Sequence, residues 1–351
     1  MKLLIITQKL DKRDSVLGFM HEWVAEFARQ TDKVTVVCLE KGAYDLPANT
    51  RVFSLGKEKK HSRLRYIFNF YRFIVRERKN YTHVLVHMNS EYVVMGGFCW
   101  RFWGKRVGLW YAHGHVPFLL RAAEKLSDVI FTSTKSGFRL RSKKLNVIGQ
   151  GIDTDLFKPT EQARDNKIFR IISVGRISPV KDYETLLQAL KIISDKNIHA
   201  DIIGGAGTPE QEKYFQSLRK IARGEGIEDC VDFAGPVANR EIVGVLQSGD
   251  LFVNMSRTGS LDKAMLEAMA CAVPILTCNE AMREVLGSYK DTLMYEKGGA
   301  DRLAEKIKEF VSMNKSKREI IGRDLRQIVV RDHGLKQFVG KIISRLQKLP
   351  G

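Results

Sequence analysis

Long apolar runs are missing from this chain. Nowhere in its 351 residues do about eighteen apolar residues follow one another, so no transmembrane helix is expected. Cysteine is sparse and scattered: Cys38, Cys99, Cys230, Cys271 and Cys278 form no C-x-x-C pair. Neither a zinc site nor a disulfide framework is expected, and a reduced cytoplasmic compartment fits. No short repeat and no low-complexity tract is visible. The opening "MKLLIITQKLDKRD" is charged too early for a secretory signal and reads as a first strand.

Acidic residues are also short, at 40 Asp+Glu against 58 Lys+Arg, a net charge of +18. The imbalance is local. Residues 1–150 hold 27 Lys+Arg and 12 Asp+Glu, whereas residues 151–351 hold 31 and 28. A field of this kind attracts anionic partners such as phosphorylated substrates, acidic lipid or nucleic acid, and it also serves plain solubility.

What is present is an alternation of strand and helix. β-Branched runs occur at "KLLIIT", "KVTVVCL", "THVLVH", "KRVGLWY", "DVIFTS" and "LNVIG". A polar, glycine-bearing break follows at 149–167. Alternation resumes with "FRIISVGR", "ADIIGG", "CVDFAG", "DLFVNMS" and "VPILT". The expected class is α/β, with two doubly wound Rossmann-like domains facing a central cleft. The boundaries read as 1–150, a linker at 151–167, a second domain at 168–333, and a C-terminal helix at 334–351 that can cross back to the first domain.

Five stretches carry candidate chemistry. In "SVGRISPVKDYETLLQAL", Arg176 and Lys181 flank a short turn between a strand end and a helix start. A forked donor and a point charge there make a phosphate clamp, although solvated loop charges fit as well. In "SRTGSLDKAMLEAMACAVPILT", the small turn Thr258-Gly259-Ser260-Leu261 lets backbone N–H groups approach an anion at a helix start. Glu267 follows on that helix, and one carboxylate suits two ribose hydroxyls; a plain surface glutamate is the other reading. Asp262 has its own simpler reading as an N-cap. The glycines of "ADIIGGAGTPEQEKYFQSL" complete no G-x-G-x-x-G.

His113 and His115 flank Gly114 at a strand end. No acid or cysteine at ligand spacing accompanies them, so a hydrogen-bonding or charge-stabilising role is expected in place of a metal. Finally, "GKEKKHSRLRYIFNFYRFIVRERKN" (56–80) interleaves cations with Tyr66, Phe68, Phe70, Tyr71 and Phe73. It fits a membrane-surface helix, a nucleic-acid contact, or an amphipathic helix with its aromatics in the core. "STKSGFRLRSKK" (133–144) adds five further cations.

Together these pieces resemble a family-four retaining glycosyltransferase of the GT-B fold. "LNVIGQGIDTDLFKP", "SVGRISPVKDYETLLQAL" and "LEAMACAVPIL" are similar to its linker, G-R-x-x-x-x-K-G and L-E-A-M-A-x-G-x-P-V segments, and "YAHGHV" to its His-Gly loop. The resemblance implies metal-independent transfer of a sugar, with retention, from a nucleoside-diphosphate sugar and with no cofactor. It implies that Arg176 and Lys181 bind the donor diphosphate, that His113 sits near the donor sugar, and that Glu267 binds ribose. Gly18, Gly259, Ser260, Leu261, Asp262 and Lys263 would line the donor. Two departures stand out. The family's second glutamate, eight residues before Glu267, is Gly259 here, with Asp262 and Lys263 the nearest charges. The family's K-G is Lys181-Asp182.

The basic first half suits a glycan or lipid-linked acceptor at an anionic inner membrane surface, approached peripherally through 56–80. No nucleic-acid partner is expected. A nucleotide-sugar epimerase or hydrolase, a nucleic-acid binder and a silent sugar-nucleotide binder remain open on the residues alone.

Overall fold

The computed structural model describes residues 1–160, 168–257 and 259–348. Its strands are β1 Lys2–Leu10, β2 Lys33–Lys41, β3 Thr50–Ser54, β4 His83–His87, β5 Arg106–Trp110, β6 Val129–Thr132, β7 Leu145–Val147, β8 Phe169–Val174, β9 Ile198–Ile203, β10 Val231–Gly235, β11 Leu251–Asn254 and β12 Ile275–Thr277. Its helices are α1 Phe19–Gln30, α2 Arg63–Arg76, α3 Ser90–Phe102, α4 Phe118–Leu126, α5 Tyr183–Ile193, α6 Pro209–Gly224, α7 Ile242–Ser248, α8 Lys263–Ala270, α9 Met282–Leu286, α10 Lys290–Leu293, α11 Ala300–Ser312, α12 Lys315–His333 and α13 Leu335–Gln347.

The chain forms two units. The first comprises residues 1–153, 238–240 and 333 onward; the second comprises 154–237 and 241–332. Unit 1 holds a seven-stranded parallel sheet in the order β3-β2-β1-β4-β5-β6-β7. Its central strands have apolar interiors, residues 3–6 of β1 and 84–86 of β4, because helices cover both faces. On one face, α1 and α13 enclose Trp23, Phe27, Trp110 and Phe338. The Trp23 indole donates to the Gly151 carbonyl at 2.8 Å and lies 4.3 Å, ring to ring, from Phe338. On the other face, α2, α3 and α4 bury Phe70, Ile74, Trp100, Leu120 and Leu126.

Unit 2 holds a five-stranded parallel sheet, β10-β9-β8-β11-β12. The strand order reverses between β8 and β11, and ligands of such sheets bind outside the strand ends at that point. Sequence sets the helix starts plainly in places. Thr208 caps α6 by accepting from the Gln211 N–H, with Pro209 at the first helical position. Arg326 of α12 ties unit 2 together, donating to the carbonyls of Thr154, Phe157 and Ala270.

Candidate active site

Arg176, Lys181 and residues 259–267, all expected to act on a donor, lie on the segments that follow β8 and β11, where the order of the unit 2 sheet reverses. β8 ends at Val174, and the chain turns through Gly175 and Arg176 into the single turn Pro179–Lys181 before α5. The turn lies flat because Gly204 has no side chain: a Cβ there would meet the Gly175 carbonyl oxygen at 1.8 Å. The Gly175 and Ile177 amides then donate to the Ile203 and Gly205 carbonyls at 2.9 and 3.1 Å. The glycines of "ADIIGGAG" thus serve a close backbone approach.

Arg176 is exposed. Lys181 is folded back along Gly175, whose absent Cβ would touch the Lys181 Cε at 3.1 Å. Its ammonium forms an ion pair with Asp262, which also accepts from the Asn254 amide at 3.1 Å. Asp262 does sit at the N-cap of α8, but its side chain makes no capping hydrogen bond. The carboxylate is turned to Lys181 instead.

The neighbouring residue makes the mirror arrangement. Asp182 accepts from the Arg257 guanidinium, Nε at 2.8 Å and Nη2 at 2.6 Å, and from the Thr185 hydroxyl at 2.8 Å. The Arg257 amide donates to the Val180 carbonyl at 3.0 Å. Adjacent charges of opposite sign on one turn therefore pair with charges that bracket the next. Asp182 pays for this with a left-handed backbone, φ 52 and ψ 47, a conformation that glycine adopts more cheaply.

Thr258 lies outside the described residues. Gly259 has φ +66 and is buried. The absence of a glutamate there is built into the backbone, since a side chain in this conformation costs about 1–2 kcal/mol. Ser260 is held through its carbonyl by the buried Asn279 amide at 2.8 Å, and Leu261 is buried. Helix α8 begins at Lys263, beyond the small turn and not within it.

Glu267 is buried at 5% exposure among Met265, Leu266, Ala268 and Met269, so it is no surface helix residue. Lys263 stands one turn before it. Burial pushes the Lys263 ammonium well down from its usual range, and the Glu267 carboxylate opposes that shift. The sequence reading gave no role to Asn254, Arg257 or Asn279, and noted Asp182 only as a departure from the family's glycine. Asn254 ends β11, Arg257 and Asn279 follow β11 and β12, and Asp182 precedes α5; only the fold shows what they touch.

The remaining candidates belong to unit 1. Gly18 caps α1, and a Cβ there would lie 2.4 Å from the Asp14 carbonyl oxygen and 3.1 Å from the Asn239 Cβ. His113 is exposed after β5 and its Nδ1 accepts from the His115 amide at 3.0 Å, which leaves Nε2 as the N–H. The Tyr111 hydroxyl fixes the loop by donating to the His115 carbonyl at 2.8 Å. Neither histidine joins a metal-like cluster. Among the described residues, His199, Asp201 and Asp232 are the one group close enough to share an ion. They sit toward the other end of the β9 and β10 strands, and Arg170 already pairs with Asp201 at 2.9 Å.

Segment 56–80 divides its aromatics. Phe70 is buried, Tyr66 and Phe73 are half-buried, and Phe68 and Tyr71 face outward. Helix α2 is linked to α3, and α3 to α4, by side-chain hydrogen bonds. Tyr71 donates to the Met95 carbonyl of α3 at 3.0 Å, and Arg101 of α3 donates to the Lys125 carbonyl of α4 at 3.3 Å. Across these helices Leu64, Phe68, Phe98, Phe102 and Phe118 are 79, 57, 71, 87 and 84% exposed. The same three helices also expose Arg63, Arg65, Arg72, Arg76, Arg101, Arg121 and Lys125, with the Arg65 guanidinium 5.4 Å from the Phe68 ring centre. No described helix is long and apolar enough to cross a membrane.

Residues 155–327 match the family described as Glycosyl transferases group 1. A GDP-mannose-dependent alpha-(1-6)-phosphatidylinositol monomannoside mannosyltransferase of Mycobacterium tuberculosis is 28% identical over 57% of this chain and 59% of its own length. Mannosylfructose-phosphate synthase of Agrobacterium fabrum is 27% identical over 39% of this chain and 33% of its own. The chain thus spans 59% or less of these curated relatives. Among solved structures, Anabaena Alr3699/HepE in complex with UDP superposes with a TM-score of 0.80 at 17% identity, over 99% of this chain and 100% of that one. Sucrose-phosphate synthase of Thermosynechococcus elongatus gives 0.80 at 13% identity, over 99% of both. The fold is that of the GT-B glycosyltransferases, two parallel-sheet Rossmann-like units, and the matched family and relatives support a glycosyltransferase.

Proposed function

We propose that this protein is a retaining, metal-independent glycosyltransferase. It moves a sugar from a nucleoside-diphosphate sugar to an acceptor hydroxyl of a lipid-linked or cell-envelope glycan. The observation that carries the reading is the Lys181–Asp262 ion pair, which links the turn after β8 that also holds Arg176 to the start of the helix that holds Glu267, where the order of one parallel sheet reverses. Arg176 and Lys181 stabilise the charge that grows on the diphosphate as the anomeric carbon–oxygen bond breaks. The acceptor oxygen bonds to the same face of that carbon, and its proton passes to the departing phosphate oxygen. Glu267 takes the ribose hydroxyls, and His113 serves the donor sugar. The relatives' names supply context for the acceptor: one acts on a phosphatidylinositol mannoside.

The apolar and cationic surface of α2, α3 and α4 supports work at an anionic leaflet, where each nearby cation contributes about 1 kcal/mol. Two experiments test the reading. In the first, the protein is incubated with UDP-, GDP- and ADP-sugars, with and without a bacterial lipid extract. Nucleotide release that needs the extract is the expected result; equal release without it points to a hydrolase. In the second, the protein is floated with vesicles. Binding to acidic vesicles at low salt, weakened in Leu64→Ser/Phe68→Ser, is expected; no binding rejects the membrane part.

A further inference from the structure

Lys181 is the most committed cation of the donor turn, and its partner is not a structural necessity. Its ammonium meets Asp262, which is 81 residues away in sequence. Asp262 sits where an N-cap belongs but caps nothing with its side chain, and both side chains keep 15–17% exposure, so solvent and ligand can reach the pair. The neighbouring Asp182–Arg257 pair already ties the two turns together, with the Arg257 amide bonded to the Val180 carbonyl. The turn therefore has a mechanical link that does not involve Lys181. What Asp262 adds is negative charge at the atom a phosphate oxygen would approach.

We infer that Asp262 is a resident counter-anion of Lys181, which the donor diphosphate displaces on binding. The inference rests on the reading of the Arg176–Lys181 turn as the diphosphate site. With no ligand bound, Asp262 satisfies an ammonium that would otherwise stand in a partly buried, low-dielectric place. On binding, phosphate oxygens take the ammonium, and Asp262 retains the Asn254 amide. Asp262 is thus a positioning residue that acts through Lys181. Its charge lowers the affinity for the diphosphate and also favours departure of the nucleoside diphosphate once the sugar is gone. The two departures from the family pattern belong to one arrangement. The aspartate in place of the glycine at 182 holds Arg257, and Asp262, three residues after the glycine that replaces a glutamate, holds Lys181.

The test is titration calorimetry of UDP, GDP and ADP, and of the matching nucleosides, into the wild type, Asp262→Asn, Lys181→Met and the double variant. Asparagine keeps the shape and the Asn254 contact and removes the charge. The expected result is roughly tenfold tighter binding of the preferred nucleoside diphosphate by Asp262→Asn, the size of one partly exposed charge interaction. Nucleoside affinity stays unchanged, and the gain disappears in the Lys181→Met background. A purely structural Asp262 would weaken binding in every case. Asp262→Ser, with a thermal melt of each variant, covers the event that the asparagine variant misfolds. If the wild type binds a nucleoside diphosphate while Asp262→Asn and Asp262→Ser bind it equally well or more weakly, the counter-anion role is overturned and the donor-site reading stands. If the wild type binds none of the three, both are overturned.

Discussion

Replacing Glu267 by glutamine probes the site most selectively. The side chain is 5% exposed on α8, so solvent cannot substitute for what it loses. A hydrogen bond to a charged group contributes about 1.5–3 kcal/mol and a neutral one about 0.5–1.5, a difference of about 1 kcal/mol for each ribose hydroxyl. Two hydroxyls give about 2 kcal/mol, or roughly 30-fold weaker binding. The assay is calorimetry with the preferred nucleoside diphosphate and with its 2′,3′-dideoxy analogue, on both proteins. In the wild type, removing the hydroxyls should cost more than the substitution does, since both charged hydrogen bonds are lost. In Glu267→Gln it should cost about 2 kcal/mol less than in the wild type, because only neutral hydrogen bonds are left to lose. A Glu267→Gln loss of the same size for the dideoxy analogue refutes the ribose role. Glu267 would then act through Lys263 or through the packing of α8.

Three further outcomes follow from the geometry. Gly204→Ala drives a Cβ into the Gly175 carbonyl oxygen; it should cost about 1–3 kcal/mol in urea unfolding and weaken diphosphate binding, since it displaces the turn that carries Arg176 and Lys181. Arg326→Met leaves the Thr154, Phe157 and Ala270 carbonyls without their shared donor, and should lower stability by about 2–4 kcal/mol, read as a fall in the thermal midpoint. Burial pushes the Asp14 carboxyl up, but the Lys9 ammonium and the Leu17 and Val16 amides outweigh it and hold it below its usual range; Lys9 does the same for Glu40. These groups stabilise unit 1 above the unfolded values near 4, and that stability is lost as pH falls through the lower folded values. Urea midpoints between pH 6 and pH 3 should fall less steeply in Lys9→Met, by on the order of 1 kcal/mol.

The parallel strands could be read from sequence because burial on both faces leaves no polar alternation to confuse them. "KLLIIT" and "FRIISV" carry unbroken apolar centres, residues 3–6 and 171–172. β3, "TRVFS", was not picked out: it is a five-residue edge strand with no fully buried residue, and such a strand resembles a loop. The turn before α8 and the N-cap position of Asp262 are legible in the small residues around Gly259, and the left-handed Gly259 and the Asn279 contact fix that turn before the helix begins at Lys263. Glu267 stood out as a charge in an apolar run, and its burial is the reason. What no local pattern carries is pairing across 81 residues, Lys181 to Asp262, or across 75, Asp182 to Arg257. Those contacts exist only once β8 and β11 lie side by side. An aspartate in a left-handed position, where a glycine is cheaper, was the one trace of them in the sequence.

The central claim is sugar transfer driven by the Arg176–Lys181 turn, and one measurement bears on it most directly. The wild type and Arg176→Ala/Lys181→Ala are incubated with a panel of nucleoside-diphosphate sugars and a lipid extract, and products are read by mass spectrometry. The account expects one acceptor species to gain the mass of a sugar with the wild type and to gain nothing with the double variant. Sugar transfer at an unchanged rate in the double variant contradicts it.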